Sequence, residues 1–283
     1  MNMANLRIIT DTAADITTEE AKALDITLVP LTIRFGEEEV PMDTEADFKA
    51  FFDRLDEAKT LPATSQPSPE LYLEQFLDAK AQGDEVLVLT LSGGLSGTIN
   101  SAQLAKEMSG YEPITIIDTR QAIITQRMLV ERAVLRRAQG VSRDAIAREI
   151  QEAKDRLVVC GVLDTLTFLR KGGRIPPTFD IIGNALRIKP IIELKDGALI
   201  KLGLVRGASK GKEMLWREYE EAEIDTTWPV CTGYTFDCAA GEAFRQETMA
   251  RFGLTDCPFY PVGGVIGTHV GKNCLALAFV KKA

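Results

Sequence analysis

Glu85-Val86-Leu87-Val88-Leu89-Thr90-Leu91, followed by Ser92-Gly93-Gly94-Leu95-Ser96-Gly97-Thr98, decides the fold of this chain. The first part is an apolar run with strand character, the second is a loop of small residues, and Ser101–Met108 has the pattern of a helix. This order places backbone N–H groups and hydroxyls at the positive end of a helix, just beyond the carboxyl end of a strand. Anionic groups bind at that position in open α/β sheets. The stretch therefore predicts an α/β fold with a site for a carboxylate or phosphate.

Strands and helices alternate on both sides of this stretch. Arg7–Ile9 and Ile114–Asp118 are short apolar strands, and Ile26–Arg34 is a strand that Pro30 interrupts. Helices are predicted over Asp47–Ala58, with Phe48, Phe51, Phe52 and Leu55 at helical spacing, and from Ser68 to about Ala81. Continuous apolar strands in this rhythm predict a mainly parallel sheet flanked by helices on both faces.

The second half of the chain has a different pattern. Lys195-Asp196-Gly197-Ala198 joins two apolar runs, Ile188–Leu194 and Leu199–Val205, and predicts a hairpin. Further strands near Val230–Tyr234, Phe259–Val262 and Leu275–Val280 are consistent with a mixed sheet. A length of 283 residues suits two domains. We therefore expect an N-terminal α/β domain over 1–155 that carries the glycine loop, and a C-terminal α/β domain with a mixed sheet over 156–283.

Composition excludes several classes of protein. A formal net charge of −8 argues against a nucleic-acid or anionic-membrane surface. The N-terminus lacks the apolar region of a signal peptide, and no apolar run approaches the ~20 residues of a membrane span. The five cysteines are scattered without a C-x-x-C pair or a zinc-like cluster, so we expect buried, reduced thiols and no metal. These features predict a cytoplasmic protein without a stable membrane anchor, and the acidic surface favours a monomer.

Ser96 and Gly97 are the first candidate site residues. Gly94-Leu95-Ser96-Gly97 resembles a nucleophile elbow only in part, because the elbow needs Gly-x-Ser-x-Gly and position 98 is threonine. The single histidine offers little support for a hydrolytic triad. Two interpretations stay open for the loop: a helix cap with glycines for tight packing, or a loop that holds a ligand.

Thr64, Ser65 and Gln66 form a second loop with hydrogen-bond donors, held between Pro62 and Pro67. Alone, the segment is typical of a well-capped turn. Since such loops gather at one edge of a parallel sheet, it is also a candidate part of the same site.

Two cationic side chains could accompany an anion. His269 stands among glycines in Gly267-Thr268-His269-Val270-Gly271, and as an imidazolium it could neutralise a carboxylate. Arg206 closes an apolar strand beside a glycine and could hold an anion in a bidentate manner. The alternatives are a structural histidine and an exposed strand end. Asp11 and Asp118, each at a strand's carboxyl end, are predicted to be loop or helix caps.

Nine short motifs in sequence order resemble the DegV family of fatty-acid-binding proteins. They span residues 6 to about 280: Thr10-Asp11-Thr12, Thr64-Ser65-Gln66-Pro67, Leu91–Thr98, Ile117-Asp118-Thr119, Leu163–Arg174, Ile188–Ile191, Asp196-Gly197, Val205-Arg206-Gly207 and Gly267-Thr268-His269.

The resemblance implies a long-chain fatty acid in a tunnel between two α/β domains, with no other cofactor. It implies that Thr64 and Ser96 hydrogen-bond the carboxylate, with Ser65 and Gly97 beside them, and that Arg206 and His269 lie near. It further implies that a separate fatty acid kinase catalytic subunit phosphorylates the bound lipid, a step of phospholipid metabolism, and that this chain is itself no enzyme.

The chain departs from the family pattern at a few positions. Lys272-Asn273 follows Val270-Gly271 where the family usually shows Gly-Pro-Gly after the histidine, and Arg187 stands where asparagine is common. Two other hypotheses stay open: an enzyme that uses the same loop on a small carboxylated or phosphorylated metabolite, with His269 as acid–base, and a regulatory module in which the lipid is a structural plug.

Overall fold

A computed structural model describes residues 5–58, 60–175 and 188–283 of the chain. Arg187 lies outside the described residues. The strands are β1 (Leu6–Asp11), β2 (Thr27–Val29), β3 (Thr32–Phe35), β4 (Glu38–Glu39), β5 (Ala63–Ser65), β6 (Glu85–Thr90), β7 (Ile114–Asp118), β8 (Leu157–Val162), β9 (Ile188–Lys195), β10 (Ala198–Arg206), β11 (Cys231–Tyr234), β12 (Phe259–Pro261) and β13 (Leu275–Val280). The helices are α1 (Thr18–Ala23), α2 (Glu45–Glu57), α3 (Pro69–Gln82), α4 (Thr98–Ser109), α5 (Ile123–Ala138), α6 (Arg143–Lys154), α7 (Thr167–Lys171), α8 (Ala208–Glu220), α9 (Cys238–Phe252) and α10 (Gly264–Val270).

The chain folds into two compact units that are discontinuous in sequence. The first comprises residues 1–32 and 64–155, and the second comprises 33–63 and 156–283. The segment 33–63, which the division expected from sequence places in the N-terminal domain, packs in the second unit. A small sheet has the order β4-β3-β5.

The first unit is built on a four-stranded parallel sheet of order β2-β1-β6-β7. Helices α3 and α4 cover one face, where Tyr72 and Phe76 join Ile9, Val86 and Val88 in one buried cluster. Side chains alternate between the faces of a strand, so Leu87 and Leu89 point to the opposite face, where both are fully buried. Helices α5 and α6 contact the sheet strands. The predicted parallel sheet with flanking helices is confirmed.

The second unit carries a six-stranded sheet of order β10-β9-β8-β13-β11-β12. All neighbouring pairs are antiparallel except β11 and β12, so the predicted mixed sheet is confirmed. The hairpin between β9 and β10 turns at Asp196 and Gly197, with φ of +50° and +80°. Positive φ at both central residues matches the right-handed twist of the two strands, which is why Asp-Gly is a strong hairpin signal.

Local sequence explains where several elements begin. Thr17 caps α1 through a reciprocal capping box with Glu20: Thr17 Oγ1 accepts from Glu20 N, and Glu20 Oε2 accepts from Thr17 N at 2.8 Å. Pro30 separates β2 from β3, as predicted, and Pro69 is the first residue of α3. The predicted strands and helices of the described segments are present, with ends that differ by a few residues.

Candidate functional site

Two loops with hydroxyl groups meet at the start of α4. Gln66 Nε2 donates a hydrogen bond to Ser101 Oγ at 2.9 Å, which ties the segment after β5 to the first turn of the helix. The amide group of Gln66 also fills the space where a Cβ atom at position 97 would lie. Gly97 has an ordinary φ of −77°, so the backbone conformation suits any residue, and a side chain here would displace the amide of Gln66. The segment after β5 and the loop before α4 are therefore in contact.

The loop between β6 and α4 is ordered by its own first residue. The carbonyl of Ser92 accepts from Leu95 N at 3.0 Å and from Ser96 N at 3.1 Å, and Ser92 Oγ accepts from Gly94 N at 3.2 Å. At the other end, Asn100 N and Ser101 N both donate to the carbonyl of Gly97. The loop is thus a tight turn that delivers the chain to the helix in one orientation.

The beginning of α4 offers donors for an anion. The first N–H groups of a helix have no acceptor within the helix, and the helix dipole makes this end positive. Here those groups belong to Thr98 and Ile99. Ser96 Oγ and Thr98 Oγ1 lie 2.9 Å apart and share a hydrogen bond, so one of the two hydroxyls is oriented by the other. A carboxylate at this end would find two backbone N–H groups and a paired hydroxyl within one turn of chain.

Thr64 and Ser65 are the last residues of β5 and directly precede Gln66. Ser65 is exposed and Thr64 is half-buried. Gln66, the residue after them, contacts Gly97 and Ser101 at the start of α4.

Asp118 and Asp11 both accept hydrogen bonds from the backbone of the loop between β6 and α4. Asp118 Oδ1 accepts from Gly93 N at 3.1 Å and from Arg120 N at 2.9 Å. Asp11 accepts from Ala13 N at 3.1 Å and from Leu91 N at 2.7 Å. Both carboxylates cap loops, as predicted.

The sequence did not indicate two of the residues that form this site, Thr98 and Ser101. It indicated Gln66 only as a hydrogen-bond donor in its loop. The available signal was the hydroxyl residue directly after Gly97 and a second one three positions later, both on the first turn of the helix. The contact of Gln66 with Ser101 joins residues 35 positions apart, so no local pattern could have indicated it.

His269 lies in the second unit, on the short helix α10. Its imidazole packs against the backbone of Gly172, where a Cβ atom would overlap the ring. Burial, and to a lesser extent the nearby charge of Arg174, lowers the pKa of His269 to about 4. The imidazole is therefore neutral at pH 7. The positive charge expected from the sequence is not supplied by His269, which can act at neutral pH as a hydrogen-bonding group.

Arg206 also lies in the second unit. It is the last residue of β10, it is exposed, and Gly207, with a φ of +87°, turns the chain into α8. A guanidinium at an exposed strand end keeps its reach and its five donors available to an anion.

The departures from the family pattern have local explanations. Asn273 adopts a φ of +56°, a conformation that asparagine tolerates better than most residues, and its Nδ2 donates to Asp164 Oδ2 at 3.0 Å. Lys272 Nζ lies 3.5 Å from the ring centroid of Phe236, a cation–π contact. The two residues that replace Pro-Gly are thus integrated into the second unit.

Residues 5–58, 60–175 and 188–283 contain no group of three or more His, Cys, Asp or Glu side chains placed to hold a metal ion. Within the same ranges, none of the helices combines the length and apolar character that crossing a membrane demands.

Comparison with known proteins gives matches along nearly the whole chain. Residues 5–282 match the family model described as "Uncharacterised protein, DegV family". A DegV domain-containing protein of Clostridium perfringens is 32% identical over 286 residues, covering 98% of each chain.

Solved structures share the fold. A DegV family protein from Thermus thermophilus, described by its fatty acid binding, is 29% identical, with a TM-score of 0.85 and coverage of 98% of this chain and 100% of that chain. A stearic-acid-binding protein from Eubacterium ventriosum is 27% identical, with a TM-score of 0.84 and coverage of 99% of both chains. The family expected from nine short motifs is confirmed, and the chain belongs to the DegV family.

Proposed function

We propose that this protein binds a long-chain fatty acid and holds its carboxylate at the edge formed by the Thr64–Gln66 segment and the start of α4. The observation that carries the proposal is the hydrogen bond from Gln66 to Ser101, because it joins the two hydroxyl-bearing loops beside the positive end of a helix. Fatty acid binding by the Thermus thermophilus and Eubacterium ventriosum relatives supports the same ligand class.

Each polar residue has a distinct part in this proposal. Ser96 and Thr64 donate hydroxyl hydrogen bonds to the carboxylate, Gly97 allows Gln66 to approach, and Ser65 extends the polar rim. The family resemblance supports Arg206, as a cation, and His269, as a neutral donor, as further partners of the carboxylate. A carboxylate without such partners would be strongly disfavoured in an apolar environment.

The acyl chain accounts for most of the affinity. Burial contributes about 0.8 kcal/mol per methylene, so about 14 methylenes contribute roughly 11 kcal/mol before the costs of ordering. This gross gain is close to the roughly 12 kcal/mol of nanomolar binding, and the costs of ordering reduce it. The polar residues decide which end of the lipid is presented.

We also propose that the protein is a monomeric cytoplasmic carrier with no catalytic machinery of its own, and that a fatty acid kinase catalytic subunit phosphorylates the presented carboxylate. The family resemblance supports the kinase partner. All five cysteines are free thiols and four are buried, which suits a reducing compartment.

Native mass spectrometry of the purified protein, followed by organic extraction, tests the binding proposal. We expect one long-chain fatty acid per chain. Ser96→Ala and Thr64→Ala each remove a hydrogen bond to a charged group, about 1.5–3 kcal/mol, and should weaken retention roughly tenfold to a hundredfold. Ser142→Ala is the matched control, because Ser142 begins α6 without a side-chain capping bond. An empty protein that takes up no added fatty acid would refute the proposal, and unchanged retention in both variants would refute the carboxylate assignment.

Incubation of the loaded protein with ATP, with and without a purified fatty acid kinase catalytic subunit, tests the division of labour. Hydroxylamine traps acyl phosphate as a hydroxamate. We expect product only when the kinase is present. Product formed by this chain alone and abolished by His269→Ala would instead establish an enzyme.

A further inference from the structure

Asp11 is a fully buried carboxylate at the carboxyl end of β1, hydrogen-bonded to the loop that leads to α4. Its Oδ2 accepts from Leu91 N at 2.7 Å, and its Oδ1 accepts from Ala13 N and from Gln126 Nε2, both at 3.1 Å. Three donors from three different segments converge on one side chain. A carboxylate that is buried and charged needs such donors, so the site is built to hold an anion.

The hydrogen bond from Leu91 N lets Asp11 fix the backbone at the start of the loop between β6 and α4. Leu91 is the residue before Ser92, and the carbonyl and hydroxyl of Ser92 accept the hydrogen bonds that shape the loop up to Ser96. Ser92 N itself donates to the carbonyl of Gln121 at 2.9 Å. The backbone at Leu91 and Ser92 is therefore fixed from one side by Asp11 and from the other by the segment before α5.

The groups that face Asp11 from neighbouring elements leave its charge largely unopposed. From α5, Gln126 contributes an amide, and Arg127 pairs with Glu20 and Glu131. From α3, Tyr72 is fully buried, and this burial, together with the charge of Asp11, raises the pKa of its hydroxyl. Asp15 follows the short turn after β1 and is buried as well.

A protonated Asp11 could donate a hydrogen bond to a neighbouring side chain, Gln126. Gln126 is fully buried, and its Oε1 has no hydrogen-bond partner in the part of the chain that the structure describes. Rotation of this amide by 180° would break the hydrogen bond from Nε2 to Thr10 Oγ1 (3.1 Å) and direct Oε1 toward Asp11, where it could accept a hydrogen bond from a protonated carboxyl group. Burial raises the pKa of Asp11 to about 6, so both charge states are accessible.

We propose that Asp11 is a positioning residue for the carboxylate site: as an anion it holds Leu91 and so fixes the loop for fatty acid binding, and its protonation loosens that hold. This proposal rests on the proposed function, and it makes fatty acid binding depend on pH through a side chain of the first unit. Asp11 acts through the loop and does not touch the ligand.

Titration of binding with a fluorescent probe, 11-(dansylamino)undecanoic acid, on delipidated full-length protein tests the proposal. Asp11→Asn retains one oxygen to accept from Leu91 N, and we expect about threefold weaker binding than wild type at about pH 8. Asp11→Ala removes every acceptor and should weaken binding at least about tenfold. The carboxyl group of the probe titrates equally in both measurements, so its effect cancels in the ratio of wild-type to Asp11→Asn affinity. This ratio should approach 1 as the pH falls through about 6, because Asp11 then becomes neutral like asparagine.

Gln126→Leu gives a second test that does not remove Asp11. It deletes the amide that donates to the charged carboxylate and that, once rotated, would accept from the protonated one. The pH midpoint of the affinity ratio between Gln126→Leu and Gln126→Leu/Asp11→Asn should therefore differ from the midpoint of the wild-type ratio. Ser96→Ala should weaken binding without moving that midpoint, which separates a ligand contact from a positioning residue. Thermal unfolding of each variant identifies any that fail to fold. If a variant fails, the chemical shift of the Leu91 amide in the wild-type protein is followed by NMR as a function of pH. We expect that shift to change with the same pH midpoint as the wild-type affinity ratio.

Three results would overturn the proposal: equal binding by folded Asp11→Ala and wild type, a ratio independent of pH, or tighter binding by Asp11→Asn at about pH 8, which would mean that charge repulsion outweighs loop geometry. Failure of the proposed function is distinct, since wild type would then bind no probe at any pH.

Discussion

The side-chain amide of Gln66 lies against the backbone of Gly97, in the space that any side chain at position 97 would occupy. The two residues are 31 positions apart in sequence, yet their contact joins the two loops of the proposed carboxylate site. A side chain at position 97, whose φ of −77° suits any residue, would break this contact.

Gly97→Ala should destabilise the protein by about 1 kcal/mol, because the added methyl group displaces the flexible end of Gln66 and breaks its hydrogen bond to Ser101. Urea unfolding measures this cost. In a Gln66→Ala background the methyl group has room, so the same substitution should cost less than about 0.5 kcal/mol. Equal costs in both backgrounds would show that the contact with Gln66 is not the cause.

His269 should titrate near pH 4. It is the single histidine of the chain, so its Cε1–H NMR signal needs no assignment. Burial and Arg174 lower the pKa in the folded state to about 4, whereas the unfolded value is about 6.5. The unfolded state therefore binds more protons in this window, and the contribution of His269 to stability is complete above pH 6.5 and declines as the pH falls toward 4. His269→Gln should abolish that contribution, and an observed midpoint of 6 or above would contradict the buried, neutral imidazole.

Cys238 should be the single thiol that reacts rapidly with Ellman's reagent in the folded protein. It is exposed at the first position of α9, whereas Cys160, Cys231, Cys257 and Cys274 are buried. Burial raises the pKa of Cys274 to about 12 and also raises that of Cys160, so neither forms thiolate at neutral pH. Cys238→Ser should leave no rapid phase, and all five thiols of wild type should react in denaturant. More than one rapid thiol in the native wild type would show that the sheet of the second unit opens.

Arg127→Met should destabilise the fold by about 3 kcal/mol, because it breaks a largely buried charge network. The guanidinium pairs with Glu20 at 2.6 Å and Glu131 at 2.8 Å and donates to the carbonyl of Asp15. Lys49→Met is the control: the Lys49–Asp53 pair is exposed on α2 and should contribute less than about 0.5 kcal/mol. Chemical denaturation measures both, and similar losses would mean that the burial of Arg127 adds nothing.

Sequence reasoning was most successful where a feature depends on neighbours along the chain. The capping box at Thr17 and Glu20, the turn at Asp196 and Gly197 and the break at Pro30 are all local, and the structure has each of them. It was least successful with His269, because glycines on both sides predict close approach but not the neighbour that approaches. That neighbour is Gly172, almost 100 residues away, and the resulting burial removes the expected charge.

The sequence by itself determined the alternation of strands and helices, the parallel and mixed sheets, the family, and the positions of the two hydroxyl-bearing loops. Hydrophobic periodicity, caps and turn residues are properties of a few consecutive residues, so they can be interpreted without the fold. Tertiary structure alone decided that 33–63 joins the second unit, where Phe51 and Phe52 pack against Gly264 and Gly267 of α10. It also decided that Gln66 contacts Gly97, that Asp11 holds Leu91 and that His269 is neutral. These outcomes depend on packing and desolvation between segments far apart in the chain, and such contacts leave no periodic signal in either segment.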